Sequence, residues 1–180
     1  ALEAVPNADE VKKANSVDSV AAASINDVLY AYPMTADNGY FLYYDKRCLS
    51  DTDVQTMDGL LAAAQAQGKK VTMDWTSGWY LYAFFGNTGM DFGVNDDGGT
   101  HHCDWNTTEG SIKGVDVEAA LLSIASNPAF LNCVDADFVA GVQNGTVAAG
   151  VSGVWSAADI KQVWGDNYGA VKLPTYTCAG

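Results

Sequence analysis

Three short stretches carry residue types suited to a polar, ring-shaped ligand. Trp79 and Tyr80 follow a Thr76-Ser77-Gly78 turn, Trp155 follows Ser152-Gly153, and Asp37-Asn38 lie between two apolar runs. A sugar presents a face of C–H groups that stacks on aromatic rings and a rim of hydroxyls that pairs with carboxylates and amides. Both handles sit at the ends of predicted strands, where open α/β sheets bind their ligands. The competing assignment is that these rings fill a core, the commoner fate of large apolar side chains.

Other chemistries find less support. A glycosidase needs two carboxylates about 5 to 9.5 Å apart across one sugar. Asp37 and Asp74 are the only pair to nominate, and both are more simply hydroxyl acceptors or surface charges. The adjacent His101 and His102, followed by Cys103, read as a strand end beside a turn, and no Ser-His-acid set accompanies them. Asp96-Asp97-Gly98 lacks the spacing and distal Glu of an EF-hand loop and reads as a hairpin turn. No C-x-x-C unit of the zinc or thioredoxin kind occurs among Cys48, Cys103, Cys133 and Cys178. A Cys103–Cys133 disulfide is the preferred pairing, because the two flank one predicted helix; free buried thiols are the alternative. The expectation is no enzyme, no metal and no cofactor.

Charge narrows the partners. The chain has 180 residues, 22 acidic against 9 basic, and a formal charge of -13. The lysines form no stripe, so phosphate backbones are repelled and nucleic acid is an unsuitable partner. A neutral polar cargo is the easiest to accept. With 48% apolar residues the chain can bury a core, and no apolar run reaches the roughly 18 residues of a membrane helix. It begins at Ala1 without initiator methionine or charged leader, which reads as a processed or excised product.

These side chains are positioned by alternating strands and helices. The first stretch, to Ser24, is polar and alanine-rich around a short helix at Ala8–Ala14, with too few large apolar residues for a core of its own. Asn26-Asp27 marks a turn between Ala22–Ile25 and Val28–Tyr32, and a further strand runs over Tyr40–Tyr44. Ser50 with Asp53 makes a capping-box start for a helix whose inner face is Val54, Met57, Leu60, Leu61 and Ala64, ending at Gly68. Strand Val71–Trp75, helix Trp79–Asn87 and a hairpin of Phe92–Val94 with Thr100–Asp104 follow. Ile112, Val115, Ala119, Leu122 and Ala125 mark the next helix, and Asp135 is placed to cap one carrying Phe138, Val139 and Val142. Val147–Val151 is an apolar strand, a helix runs to Trp164, and Tyr168–Leu173 is the last strand. The pattern is an α/β fold with a mixed sheet flanked by helices.

The segment Leu29–Gly39 followed by Phe41–Lys46 resembles the hinge-crossing strand of extracellular solute-binding proteins of the maltodextrin-binding type. Asn144–Trp155 resembles their Gly-x-Trp ligand loop, and Tyr168–Thr175 their returning hinge strand ending in Leu-Pro. Order and spacing agree over roughly residues 28–176. The resemblance implies one lobe of a two-lobed protein that captures a mono- or oligosaccharide and hands it to the permease of an ABC transporter. It implies residues 1–27 as a residual segment of an N-terminal lobe, 28–176 as the C-terminal ligand-binding lobe with both hinge strands, and 177–180 as the start of a return. Asp37, with Asn38 beside it, matches an acidic ligand for sugar hydroxyls, Trp155 the stacking tryptophan, and Trp79-Tyr80 an aromatic ligand position approximately, since the preceding loop is shorter here. The family implies an extracellular or cell-surface location, periplasmic in two-membrane bacteria, with peripheral membrane attachment through a lipid-modified N-terminus. A free-standing carbohydrate-binding module or lectin is the alternative; paired hinge strands argue against it.

Overall fold

The computed structural model describes residues 4–180, and its contacts divide the chain into two units, at Gly39 and Tyr40. In the first unit, helix α1 (Ala8–Ala14) is followed by α2 (Val17–Ala22), whose start is capped by the Ser16 side chain accepting the Ser19 N–H. Strands β1 (Ser24–Ile25) and β2 (Val28–Leu29) form the expected hairpin, with Asn26 and Asp27 at φ 49° and 63°. That pair of left-handed residues is what a two-residue hairpin turn demands, and Asn and Asp tolerate it best. This stretch does assemble a small cluster, Val5, Val11 and Leu29, with Ala8, Val20 and Ala23 against it. Leu29, from beyond Ser24, adds the large buried side chain of this cluster.

The second unit opens on β3 (Tyr40–Asp45). A 3-10 turn (Asp53–Gln55) and α3 (Met57–Ala66) come next, then β4 (Lys70–Met73), α4 (Gly78–Phe85), the hairpin of β5 (Phe92–Val94) and β6 (His101–Cys103), and α5 (Gly114–Ala125). The chain continues through β7 (Phe130–Asn132), α6 (Asp135–Gln143), β8 (Val147–Gly153), α7 (Ala157–Trp164) and β9 (Tyr168–Val171). Five strands form one sheet in the order β7-β4-β8-β3-β9. Strand β4 runs parallel to β7 and β8, whereas β3 runs antiparallel to β8 and β9, so the sheet is mixed.

Strand periodicity divides the core. Along β3, Leu42 and Tyr44 join the cluster that holds α3, α4 and α5, while Phe41 and Tyr43 join Phe138, Val142, Ile160 and Trp164 from α6 and α7. Leu42 and Phe138 are fully buried, each contributing about 1.5–3 kcal/mol of apolar burial. Every residue of β8 is buried, and at Gly150 a Cβ would collide with the Phe138 ring and Thr72 Oγ1. Only a strand this bare lets α6 pack so close.

Three local readings change. The Ser50–Asp53 box forms, but on the 3-10 turn; α3 begins afresh at Met57, with Thr56 Oγ1 accepting the Gly59 N–H. Helix α5 turns a different face inward: Val117, Leu121 and Ile124 are buried, whereas Val115 and Leu122 are 67% and 69% exposed. The helix is apolar on two stripes, and Gly114 decides between them by pressing its backbone against the Trp105 carbonyl, where no Cβ fits. Asp135 is the first residue of α6, not its cap; Val134 holds that place.

Candidate functional site

The parallel strands β4, β7 and β8 end side by side, and each end feeds a residue to one cluster. Beyond β4 the Asp74 carboxylate accepts the Thr76 N–H (2.9 Å) and hydroxyl (2.6 Å), a local turn that starts α4 and delivers Trp79 and Tyr80. Beyond β7 stands Asp135, and beyond β8 stands Trp155. The opening residue of β3, Tyr40, pairs with Gly153 and so lies at the same edge.

Asp135 is the hub. Its carboxylate accepts the Tyr80 hydroxyl at 3.0 and 3.1 Å, the Ser152 hydroxyl at 2.9 Å and the Trp155 indole N–H at 3.0 Å. Ser156 lies 2.8 Å from Ser152 Oγ, and because the Ser152 proton is committed to Asp135, Ser156 donates in that pair. The indole of Trp155 lies against Gly153 in space that any Cβ would fill, and the residue is 50% exposed. Strand edge, glycine and carboxylate together hold a flat apolar plate facing solvent.

Trp79 is a second such plate, 49% exposed, with the Tyr40 ring edge-on at 5.7 Å. Tyr40 in turn meets the Tyr80 ring at 5.1 Å. Successive helical residues point about 100° apart, so Trp79 faces outward while Tyr80, only 4% exposed, becomes a strut between Tyr40 and Asp135. Burial, reinforced by the Asp135 charge, pushes the Tyr80 hydroxyl up to about 12. Tyr44 and Tyr176 reach about 12 as well, burial again coming first.

A group whose folded pKa lies above its unfolded value of about 10 stabilises the fold fully below that pH and loses its contribution as the pH climbs to about 12. Alkaline spectrophotometric titration is therefore expected to show a late class of tyrosines near pH 12, with folding weakening over the same interval. Tyr80→Phe should shrink that late class; an unchanged late amplitude would remove Tyr80 from it.

Asp37 and Asn38 lie in the first unit, both exposed, and the Asp37 N–H donates to Thr35 Oγ1 at 3.0 Å. The site within the second unit therefore joins Trp79, Tyr80 and Trp155 from the sequence reading with Asp135, Ser152 and Tyr40, which that reading missed. An acidic residue three positions past a parallel strand, opening a helix, was the available signal for Asp135.

The expected disulfide is not formed. Cys103 is exposed on the β5–β6 hairpin, while Cys133 packs beside the Phe138 cluster, where burial raises its thiol pKa. Flanking one helix does not bring the two together, because the hairpin and the β7 end are separate structures. The Asp96-Asp97-Gly98 stretch is a hairpin turn: Asp97 accepts the N–H groups of Gly99 and Thr100 and the Thr100 hydroxyl. His102 is held between Asn95 Oδ1 and Asp91 Oδ2, each at 2.7 Å. Among the described residues no group of three or more His, Cys, Asp or Glu is arranged to hold a metal ion, and no helix is long and apolar enough to cross a membrane.

A family model described as bacterial extracellular solute-binding protein matches residues 1–180. No curated protein matches. Among solved structures, one solved with acarbose superposes with a TM-score of 0.78 at 28% identity, covering 99% of this chain and 45% of that one. The maltodextrin-binding protein MalE1 from L. casei BL23, solved without ligand, superposes with a TM-score of 0.76 at 26% identity, covering 98% of this chain and 45% of that one. The chain spans less than half the length of either.

Proposed function

The chain belongs to the bacterial extracellular solute-binding proteins, and from that membership we propose that it captures a carbohydrate, a maltodextrin-like oligosaccharide, for delivery to the permease of an ABC transporter. The observation that carries the proposal is the Trp155 plate, half exposed and pinned by Asp135 at the carboxyl edge of the sheet. An aromatic face held rigidly in this way suits the C–H face of a sugar ring. Trp79 supplies a second plate, and Asp37 with Asn38 supply acceptors and donors for hydroxyls. The family is one of solute-binding proteins, one neighbour was solved with acarbose and the other is named a maltodextrin-binding protein. We assign residues 28–176 to a C-terminal lobe with both hinge strands and 1–27 to a segment of the N-terminal lobe. Closure of the second lobe would bury the sugar. Capture without catalysis fits the family, as does attachment to the outer face of the cell through a lipid-modified N-terminus.

A ligand that binds only the folded state raises its melting temperature, by about 2.7 kcal/mol of added stability at a hundredfold excess over Kd. Maltodextrins added to the two-lobed protein are expected to do so, and the 180-residue chain alone to respond weakly. A rise with amino acids or peptides and none with any sugar would overturn the carbohydrate assignment.

A further inference from the structure

The chain contains two Asn-Gly pairs, Asn38-Gly39 and Asn144-Gly145. In such a pair the glycine N–H, unshielded by a side chain, can attack the asparagine side-chain carbonyl. The new C–N bond closes a five-membered imide, the proton passes to water, and the side-chain nitrogen leaves as ammonia. Water then opens the imide at one carbonyl or the other, giving aspartate or isoaspartate.

The two pairs sit in opposite circumstances. Asn144 ends α6 in helical geometry, with ψ at -1°. Its side-chain oxygen is held by the Thr146 N–H at 3.0 Å and the Thr146 hydroxyl at 2.6 Å, and the Gly145 N–H is donated to the Val142 carbonyl at 3.2 Å. The Asn144 side chain is held in one orientation, and the Gly145 N–H that must attack it is committed to Val142. Asn38 is exposed in a stretch without regular structure, and among the described residues neither its side chain nor the Gly39 N–H has a hydrogen-bond partner. A Cβ built on Gly39 would meet nothing within 4 Å.

We propose that Asn38 is a site of spontaneous conversion to aspartate and isoaspartate, while Asn144 is protected by its helix end. The product places a new carboxylate beside Asp37, and the isoaspartyl form inserts a backbone methylene two residues before β3. The inference stands apart from the sugar reading, since it needs only water and the loop geometry.

The test is peptide mass mapping of the 180-residue chain incubated at body temperature in mildly alkaline buffer, with a parallel sample in denaturant. Ring closure at Asn144 must break three hydrogen bonds, each worth a factor of about five, so its initial rate should trail that of Asn38 on the order of a hundredfold. In denaturant both pairs lose their surroundings and the two rates should converge. Conversion at Asn144 as fast as at Asn38 in the native sample would overturn the proposal, and so would a difference that persists in denaturant.

Discussion

Replacing Trp155 with alanine is expected to weaken maltodextrin binding by the two-lobed protein about five-fold to a thousand-fold, the loss of an aromatic anchor worth about 1–4 kcal/mol. The fold should lose only about 1 kcal/mol, because the residue is half exposed and Asp135 keeps the Tyr80 and Ser152 donors. Titration calorimetry on the two-lobed protein measures the affinity, and thermal melting without sugar checks the fold. Trp155→Phe separates the two properties of the indole, since phenylalanine keeps a plate but cannot donate to Asp135. If stacking dominates, phenylalanine recovers most of the affinity; if the anchored orientation dominates, it recovers little. Unchanged binding by Trp155→Ala would remove this residue from the sugar site.

Asp135→Ala should have the largest effect on the fold and the site together. It leaves the buried Tyr80 and Ser152 hydroxyls without their acceptor, whereas the half-exposed indole N–H can turn to water. An unpaired buried donor costs about 1–3 kcal/mol, so the two together cost about 2–6 kcal/mol, a fall of roughly 5–20 °C in melting temperature for a chain of this size. Part of that loss comes from removing a negative charge at the start of α6, which Asp137→Ala shares without touching the hub. The difference between the two variants is the contribution of the hub. Asp135→Asn retains one acceptor oxygen for three donors and should fall between them. Equal melting temperatures for Asp135→Ala and Asp137→Ala would show that the carboxylate does not brace the site.

The strands and turns were legible because their signals are local. Asn26-Asp27 announces a hairpin by residue type, Gly68 ends α3 at φ 62°, and the apolar run Val147–Val151 reads as a buried strand. The inner face of α5 was not legible, since a helix with apolar residues on two stripes offers two answers and only the Gly114–Trp105 contact selects one. Trp79 and Trp155 were singled out by type and position, and both are half exposed. Asp135 was misread as a cap because its partners, Tyr80, Ser152 and Trp155, lie 55, 17 and 20 residues away. Sequence periodicity carries no information on contacts of that kind. The Tyr80 strut shows the same limit from the other side: adjacency to Trp79 suggested a shared role, and helical rotation gave them opposite ones.

The strand order carries a consequence for biosynthesis. Strand β8, completed at Gly153, is inserted between β3 and β4, both finished before residue 74, and the Tyr43 hydroxyl waits 110 residues for its bond to the Gly153 carbonyl. A growing polypeptide at the ribosome therefore has no sheet to close until most of these residues have emerged, and pairing over such separations is intrinsically slow. Strands β3 and β4 are without their sheet partners in the meantime. That is the condition in which a polypeptide can be threaded through a secretion pore, so a sheet that closes this late suits a member of an extracellular family.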